Sequence, residues 1–130
     1  MSSGPIRGVV IAHGPMARAM VDAVRRIAGD AADTLIPLSN DGKGPEELRA
    51  ELEALISEEQ AVVFTDLLAG SCGMAAMSSC RDRARRAVVS GVNLPMLLEF
   101  VLHTDQPLDD LVACVQEKGR AAITHPTPGA

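Results

Sequence analysis

Short β-branched runs and stretches with an apolar residue at every third or fourth position take turns along the chain. Arg7-Gly-Val-Val-Ile-Ala12 is continuous, apolar and followed at once by His13-Gly14-Pro15, which is how a strand buried on both faces reads. From Met16 to Ala28 the spacing turns helical, with Met16, Met20, Val24 and Ile27 on one face. Pro15 fits the first turn and Gly29 the C-cap. Thr34-Leu-Ile-Pro-Leu38 reads as a second strand, placed at a sheet edge by its proline. A turn over Ser39 to Gly44 leads to a helix from Pro45 to Glu58 with the stripe Leu48, Leu52, Leu55 and Ile56. Ala61 to Thr65 is a third strand, Met74 to Arg81 a helix of small residues, and Ala87 to Ser90 a fourth strand. Asn93 caps a helix that Pro95 starts and that runs to about His103. Leu108 to Lys118 is a last helix closed by Gly119, and Arg120 to Thr124 reads as a final strand.

This alternation predicts an α/β fold: an open, mainly parallel, doubly wound sheet with right-handed crossovers. The chain reads as one domain, residues 1–130, with a core over about 7–124 and a frayed tail from His125. In such sheets the ligand crevice lies beyond the C-terminal strand ends, where strand order reverses. The residues there are His13, Ser39, Asp66 to Gly73 and Gly91 to Pro95. In a sheet of order 2-1-3-4 the first and third strands are neighbours, so His13 and Asp66 face each other across the switch point. A carboxylate accepting from one ring N–H would leave the opposite nitrogen as a nucleophile. On position alone a second reading stands beside this one: a strand-end histidine bonded to backbone, with Asp66 capping a turn.

Composition narrows the function classes. The chain is 47% hydrophobic but only 2% aromatic, with two Phe and no Tyr or Trp, so its core is aliphatic. Twelve Lys+Arg against seventeen Asp+Glu give a net charge of −5. An acidic chain without rings offers nucleic acid neither phosphate neutralisation nor stacking, and offers a sugar no aromatic clamp. Cys72, Cys80 and Cys114 are odd in number and lack metal-ligand spacing, which points to a reducing cytoplasm and to no metal. No stretch approaches the roughly 18 apolar residues of a membrane span.

Val9-Val-Ile-Ala-His13-Gly14, Val63-Phe-Thr-Asp66, Gly70-Ser71 before a small-residue helix, and above all Ser90-Gly-Val-Asn-Leu-Pro-Met-Leu97 occur in the order and spacing of one family. From about Arg7 to Ile123 the chain resembles the enzyme IIA domain of the mannose-type phosphoenolpyruvate-dependent sugar phosphotransferase system (PTS). The resemblance implies a phosphocarrier that accepts a phosphoryl group from HPr on His13 and passes it to an enzyme IIB component. It implies Asp66 as the orienting carboxylate, with Gly14, Ser39, Gly70 and Ser71 around the phosphoryl group. It further implies a cytoplasmic homodimer in which the strand Arg120 to Thr124 is exchanged between subunits. No Walker loop or metal constellation is present, so no cofactor is expected. The chain departs from the family at Ala69, where a glycine is usual, and at Cys72-Gly73-Met74, where a proline would stiffen the loop.

Two rivals share parts of this pattern. The first is a stand-alone regulatory module of the same fold, whose phosphorylation state controls a partner protein. The second is a small serine hydrolase, since Ala69-Gly-Ser-Cys-Gly73 nearly matches a nucleophile elbow. It would use Ser71 with His103 or His125 as base and Asp105 or Asp109 as orienter. The run Arg81 to Arg86 reads as solvated surface, and the pairs Met16, Met20 and Met74, Met77 as core or dimer packing. Met16 and Met74 also lie near the crevice, where methionine provides adaptable contact area.

Overall fold

The structure, a computed structural model, describes residues 5–129. Four parallel strands form one sheet: β1 (Arg7–Ala12), β2 (Leu35–Ser39), β3 (Ala61–Thr65) and β4 (Arg86–Ser90), in the order β2-β1-β3-β4. The expected α/β architecture and strand order are those observed. Five helices connect or flank the strands: α1 (Met16–Ala28), α2 (Pro45–Ile56), α3 (Ser71–Ser79), α4 (Leu94–Leu102) and α5 (Leu108–Ala121). A 3-10 segment, Gly29–Thr34, follows α1.

Both faces of the sheet are covered, which is why its strands are apolar without alternation. Along β1, Val10 and Ala12 point toward α1, α4 and α5, whereas Val9 and Ile11 point toward α2 and α3. The only two aromatic rings of the chain, Phe64 and Phe100, meet edge to face with centroids 5.4 Å apart. Both are fully buried, so neither can serve a ligand. Pro37 lies in β2, the edge strand, where a missing N–H costs no ladder bond.

Several boundaries differ from the sequence expectation. The buried face of α1 is Ala17, Val21 and Val24, while Met16 and Ile27 are exposed. The smaller side chains let the helix lie close to the sheet, and the longer apolar ones fall on the adjacent, outward stripe. Helix α3 begins at Ser71, three residues before the expected Met74. Its N-cap is Gly70, which has no side chain to mark the start. Gly119 does not close α5 but lies within it, where an added β-carbon would meet Met96 Cε at 2.5 Å. The helix therefore runs on to Ala121, and Arg120 to Thr124 forms no strand. Among the described residues nothing pairs with the outer edge of β4. Arg86, expected on a solvated surface, is half-buried and donates to the carbonyls of Ser79 and Ser57, at the ends of α3 and α2.

Candidate functional site

The register of the sheet brings two distant residues together. Ile11 pairs with Thr65 across β1 and β3, so the residues that follow, Ala12-His13 and Asp66, leave the sheet side by side. Asp66 Oδ2 accepts from the backbone N–H of His13 at 3.0 Å and lies 2.8 Å from its ring Nδ1. Asp66 Oδ1 accepts from the N–H of Leu67 at 2.8 Å. Burial alone would raise the Asp66 carboxyl, but the hydrogen bonds from His13 and Leu67 outweigh it and hold the group below its ordinary value. An ionised carboxylate only accepts, so Nδ1 carries a proton, and in the neutral imidazole the lone pair is then on Nε2. The Asp66 side chain is 10% exposed and the His13 side chain 43%, so a nearly buried carboxylate holds a ring that reaches solvent.

The peptide after His13 is held from a third strand end. Gly14 has a φ of +60° and no side chain. Its N–H donates to Asn40 Oδ1 at 3.1 Å, and its carbonyl accepts from Ser39 Oγ at 2.9 Å. Ser39 Oγ in turn accepts from the N–H of Asp41 at 3.1 Å. The single hydroxyl hydrogen of Ser39 is thus used within the loop. An open hollow of about 270 Å³ lies beside this clamp, lined by Gly14, Pro15, Arg18, Pro37, Ser39 and Asp41. Asn40 was not legible in the sequence as a site residue; its one signal was its place just past a strand end on the crevice side.

On the other side stands the start of α3. Gly70 has a φ of +94°, and a β-carbon added there would lie 3.8 Å from His13 Nε2. The first helical bond is Met74 N–H to Gly70 O, at 3.0 Å. The N–H groups of Ser71, Cys72 and Gly73 therefore precede the helical ladder at the end that faces the ring. Gly73 permits the preceding turn: a β-carbon there would fall 1.7 Å from Leu68 O. Cys72 is fully buried, and its thiol is pushed up by burial and then by the charge of Asp66, against a hydrogen bond from Ser71. One donor atom from each of His13, Asp66 and Cys72 falls within 4.8 Å of the others, a grouping that sequence spacing did not reveal.

Several apolar side chains of the flanking elements are exposed. Leu67, Leu68 and Met74 are more than half exposed, Met77 is too, and Met16 is 37% exposed. Of the methionines expected in core or dimer packing, Met20 packs against the core, while Met16, Met74 and Met77 are exposed on the chain. The serine-hydrolase constellation is not assembled. His103 ends α4 and pairs with Glu99 at 3.4 Å. The neighbouring Thr104 O accepts from Ile6 N–H, which puts His103 at the strand-start end of the sheet, opposite Ser71. Asp105 and Asp109 follow it there, and His125 is exposed in the tail.

Comparison with known proteins gives a consistent set. A family model described as EIIA-man, PTS system fructose IIA component, matches residues 8–116. The sorbose-specific EIIA component of the PTS of Klebsiella pneumoniae is 31% identical over 102 residues, 74% of this chain and 73% of that protein. The mannose-specific EIIAB component of Escherichia coli is 31% identical over 99 residues, 75% of this chain and 28% of that longer protein. The EIIA component from Streptococcus agalactiae superposes with a TM-score of 0.84 at 25% identity, over 92% of this chain and 96% of that one. A mannose/sorbose-specific IIA subunit from Enterococcus faecalis shares the fold, with a TM-score of 0.86 at 24% identity over 98% of each chain.

Proposed function

The chain belongs to the mannose/sorbose EIIA family of the phosphotransferase system, and from that premise we propose that His13 Nε2 is the atom that takes and returns the phosphoryl group. The donor is HPr and the acceptor an enzyme IIB component. The observation that carries this reading is the pair of hydrogen bonds from His13 to one oxygen of Asp66, which leaves Nε2 unprotonated on the open side.

The step follows from that geometry. The Nε2 lone pair attacks phosphorus in line, the N–P bond to HPr breaks, and its electron pair returns to the donor's imidazole. Positive charge develops on the His13 ring, and the Asp66 carboxylate at Nδ1 stabilises it. Phosphoryl transfer asks the protein chiefly for positioning and for charge stabilisation. The N–H groups of Ser71, Cys72 and Gly73, with Gly70 leaving room, are available to the phosphoryl oxygens. A helix N-terminus contributes about 0.3–1 kcal/mol toward a nearby anion, up to about 2 when partly buried. That modest hold suits a group that must leave again. Ser39 and Asn40 act on Gly14, fixing the backbone that carries the nucleophile.

Leu67, Leu68, Met16 and Met74 supply exposed apolar area beside the ring for two successive partners. A homodimer is part of the same reading; the unpaired outer edge of β4 supports it, and sedimentation at several concentrations tests it. No helix among the described residues is long and apolar enough to cross a membrane. The test of the relay is incubation with phosphoenolpyruvate, enzyme I and HPr. One acid-labile phosphoryl group per chain is expected, absent from His13→Ala. Labelling that persists in that variant contradicts the assignment.

A further inference from the structure

We propose that His13, Asp66 and Cys72 form a binding site for a soft divalent cation of the Zn²⁺ type, and that its occupancy blocks phosphoryl acceptance. The blocking half rests on the relay reading above; the binding half stands on the donor atoms alone.

An imidazole nitrogen, a carboxylate oxygen and a thiol sulfur lie within 4.8 Å of one another. Zinc bonds of about 2.0–2.3 Å put neighbouring tetrahedral donors roughly 3.2–3.8 Å apart. The widest-spaced pair thus needs to converge by at most about 1–1.6 Å, within reach of side-chain rotation. They arrive from three separate rigid places: the end of β1, the end of β3 and the first turn of α3. Asp66 is already oriented by the Leu67 N–H on its other oxygen, the kind of outer contact that steadies a metal-ligating carboxylate. The exposed side of the His13 ring leaves a fourth position to water.

The donor set also selects the ion. A nitrogen, an oxygen and a sulfur favour Zn²⁺ or Co²⁺ over Mg²⁺ and Ca²⁺, which take oxygen ligands. On binding, the Cys72 S–H bond breaks, its proton goes to solvent and a metal–sulfur bond forms. A metal at Nε2 occupies the lone pair that would attack phosphorus. A metal at Nδ1 sends the proton of that nitrogen to Nε2, and the lone pair that would attack phosphorus is lost. Both arrangements stop the reaction.

Titration of the full chain with Co²⁺ under reducing conditions tests the site. The expected result is one equivalent bound, with thiolate-to-cobalt absorption and tetrahedral ligand-field bands, displaced by Zn²⁺ but not by Mg²⁺. Cys72→Ala and His13→Ala should each remove those bands, with far-UV circular dichroism confirming that both variants fold. Cys72→Ser serves as a second variant that keeps the side chain's size. No thiolate–cobalt absorption in the wild type, or absorption that survives in both Cys72 variants, overturns the site.

The blocking role is read as the ratio of labelled chain with and without excess Zn²⁺. A fall of about tenfold or more is expected in the wild type, and a much smaller one in Cys72→Ala, which controls for zinc acting on the donor proteins. Equal ratios in the two chains overturn the blocking while the cobalt spectrum still judges the site. Failure of the metal-free chain to accept a phosphoryl group contradicts the relay reading and with it the blocking, leaving the spectrum to decide binding.

Discussion

One oxygen of Asp66 receives both the backbone N–H and the ring Nδ1 of His13, at 3.0 and 2.8 Å, from a residue 53 positions away in sequence. The second oxygen receives the Leu67 N–H. The carboxylate therefore fixes where the ring is and which nitrogen is free to react.

Asp66→Asn should disrupt this pairing while leaving the fold intact. An amide has one accepting atom, and the site presents donors on both sides. Either Leu67 N–H or the two donors of His13 must face the NH₂ group. In the second case the ring favours the tautomer protonated at Nε2, and the nucleophilic lone pair is lost. Rapid-quench measurement of transfer from phospho-HPr should show a rate lower by about 10²-fold to 10⁴-fold, the range seen when a positioned proton partner is removed or a tautomer is wrong.

Asn40→Ala removes the acceptor for Gly14 N–H and leaves Ser39 holding the carbonyl alone. The loss of one hydrogen bond predicts about 0.5–1.5 kcal/mol of destabilisation. Transfer should slow by more than this stability loss explains under conditions where the variant is fully folded. Asn40→Asp, which keeps an acceptor, should recover part of the rate. Equal rates for wild type and alanine variant would remove Asn40 from the positioning role.

Gly73→Ala places a methyl group 1.7 Å from a backbone oxygen that cannot rotate away. The turn at Leu67–Leu68 must open, and a loss of roughly 1–3 kcal/mol follows from overpacking of this kind. Urea unfolding measures it; a midpoint equal to wild type would show that the turn yields freely.

Cys80 supplies a pH prediction with a definite sign. Burial pushes its thiol up from 9.0 to about 11, with Arg86 pulling the other way. Between those values the unfolded chain gives up the proton and the folded chain keeps it. Stability is therefore fully present below pH 9 and falls by roughly 2–3 kcal/mol as pH rises to about 11. The chain has no Tyr to titrate in the same window. Urea denaturation at pH 8 and pH 11 should show this decline in the wild type, and a smaller one in Cys80→Ala.

The four strands of the sheet were legible in the sequence, and with the order 2-1-3-4 so was the meeting of His13 with Asp66. Continuous β-branched runs mark strands buried on both faces, and the parallel topology then sets which strand ends adjoin. What stayed hidden depended on close contacts. Gly119 looks like a helix stop until Met96 is found lying against it, and with that stop gone the final strand at Arg120 disappears. Gly70 starts α3 through backbone conformation alone, so no capping side chain announced Ser71. Ala17 outranks Met16 in the core because the helix lies close to the sheet, a distance that periodicity does not contain. Asn40 reaches the site only through a loop whose path the pattern of apolar positions leaves open.

The central claim is that Asp66 reserves Nδ1 and leaves Nε2 to take the phosphoryl group. Nitrogen-15 NMR of the chain labelled at histidine, before and after phosphorylation through HPr, tests it most directly. The geometry predicts that the free His13 ring is protonated at Nδ1, and that phosphorus coupling appears on Nε2 of His13. Phosphorus coupled to Nδ1, or to His103 or His125, would contradict it.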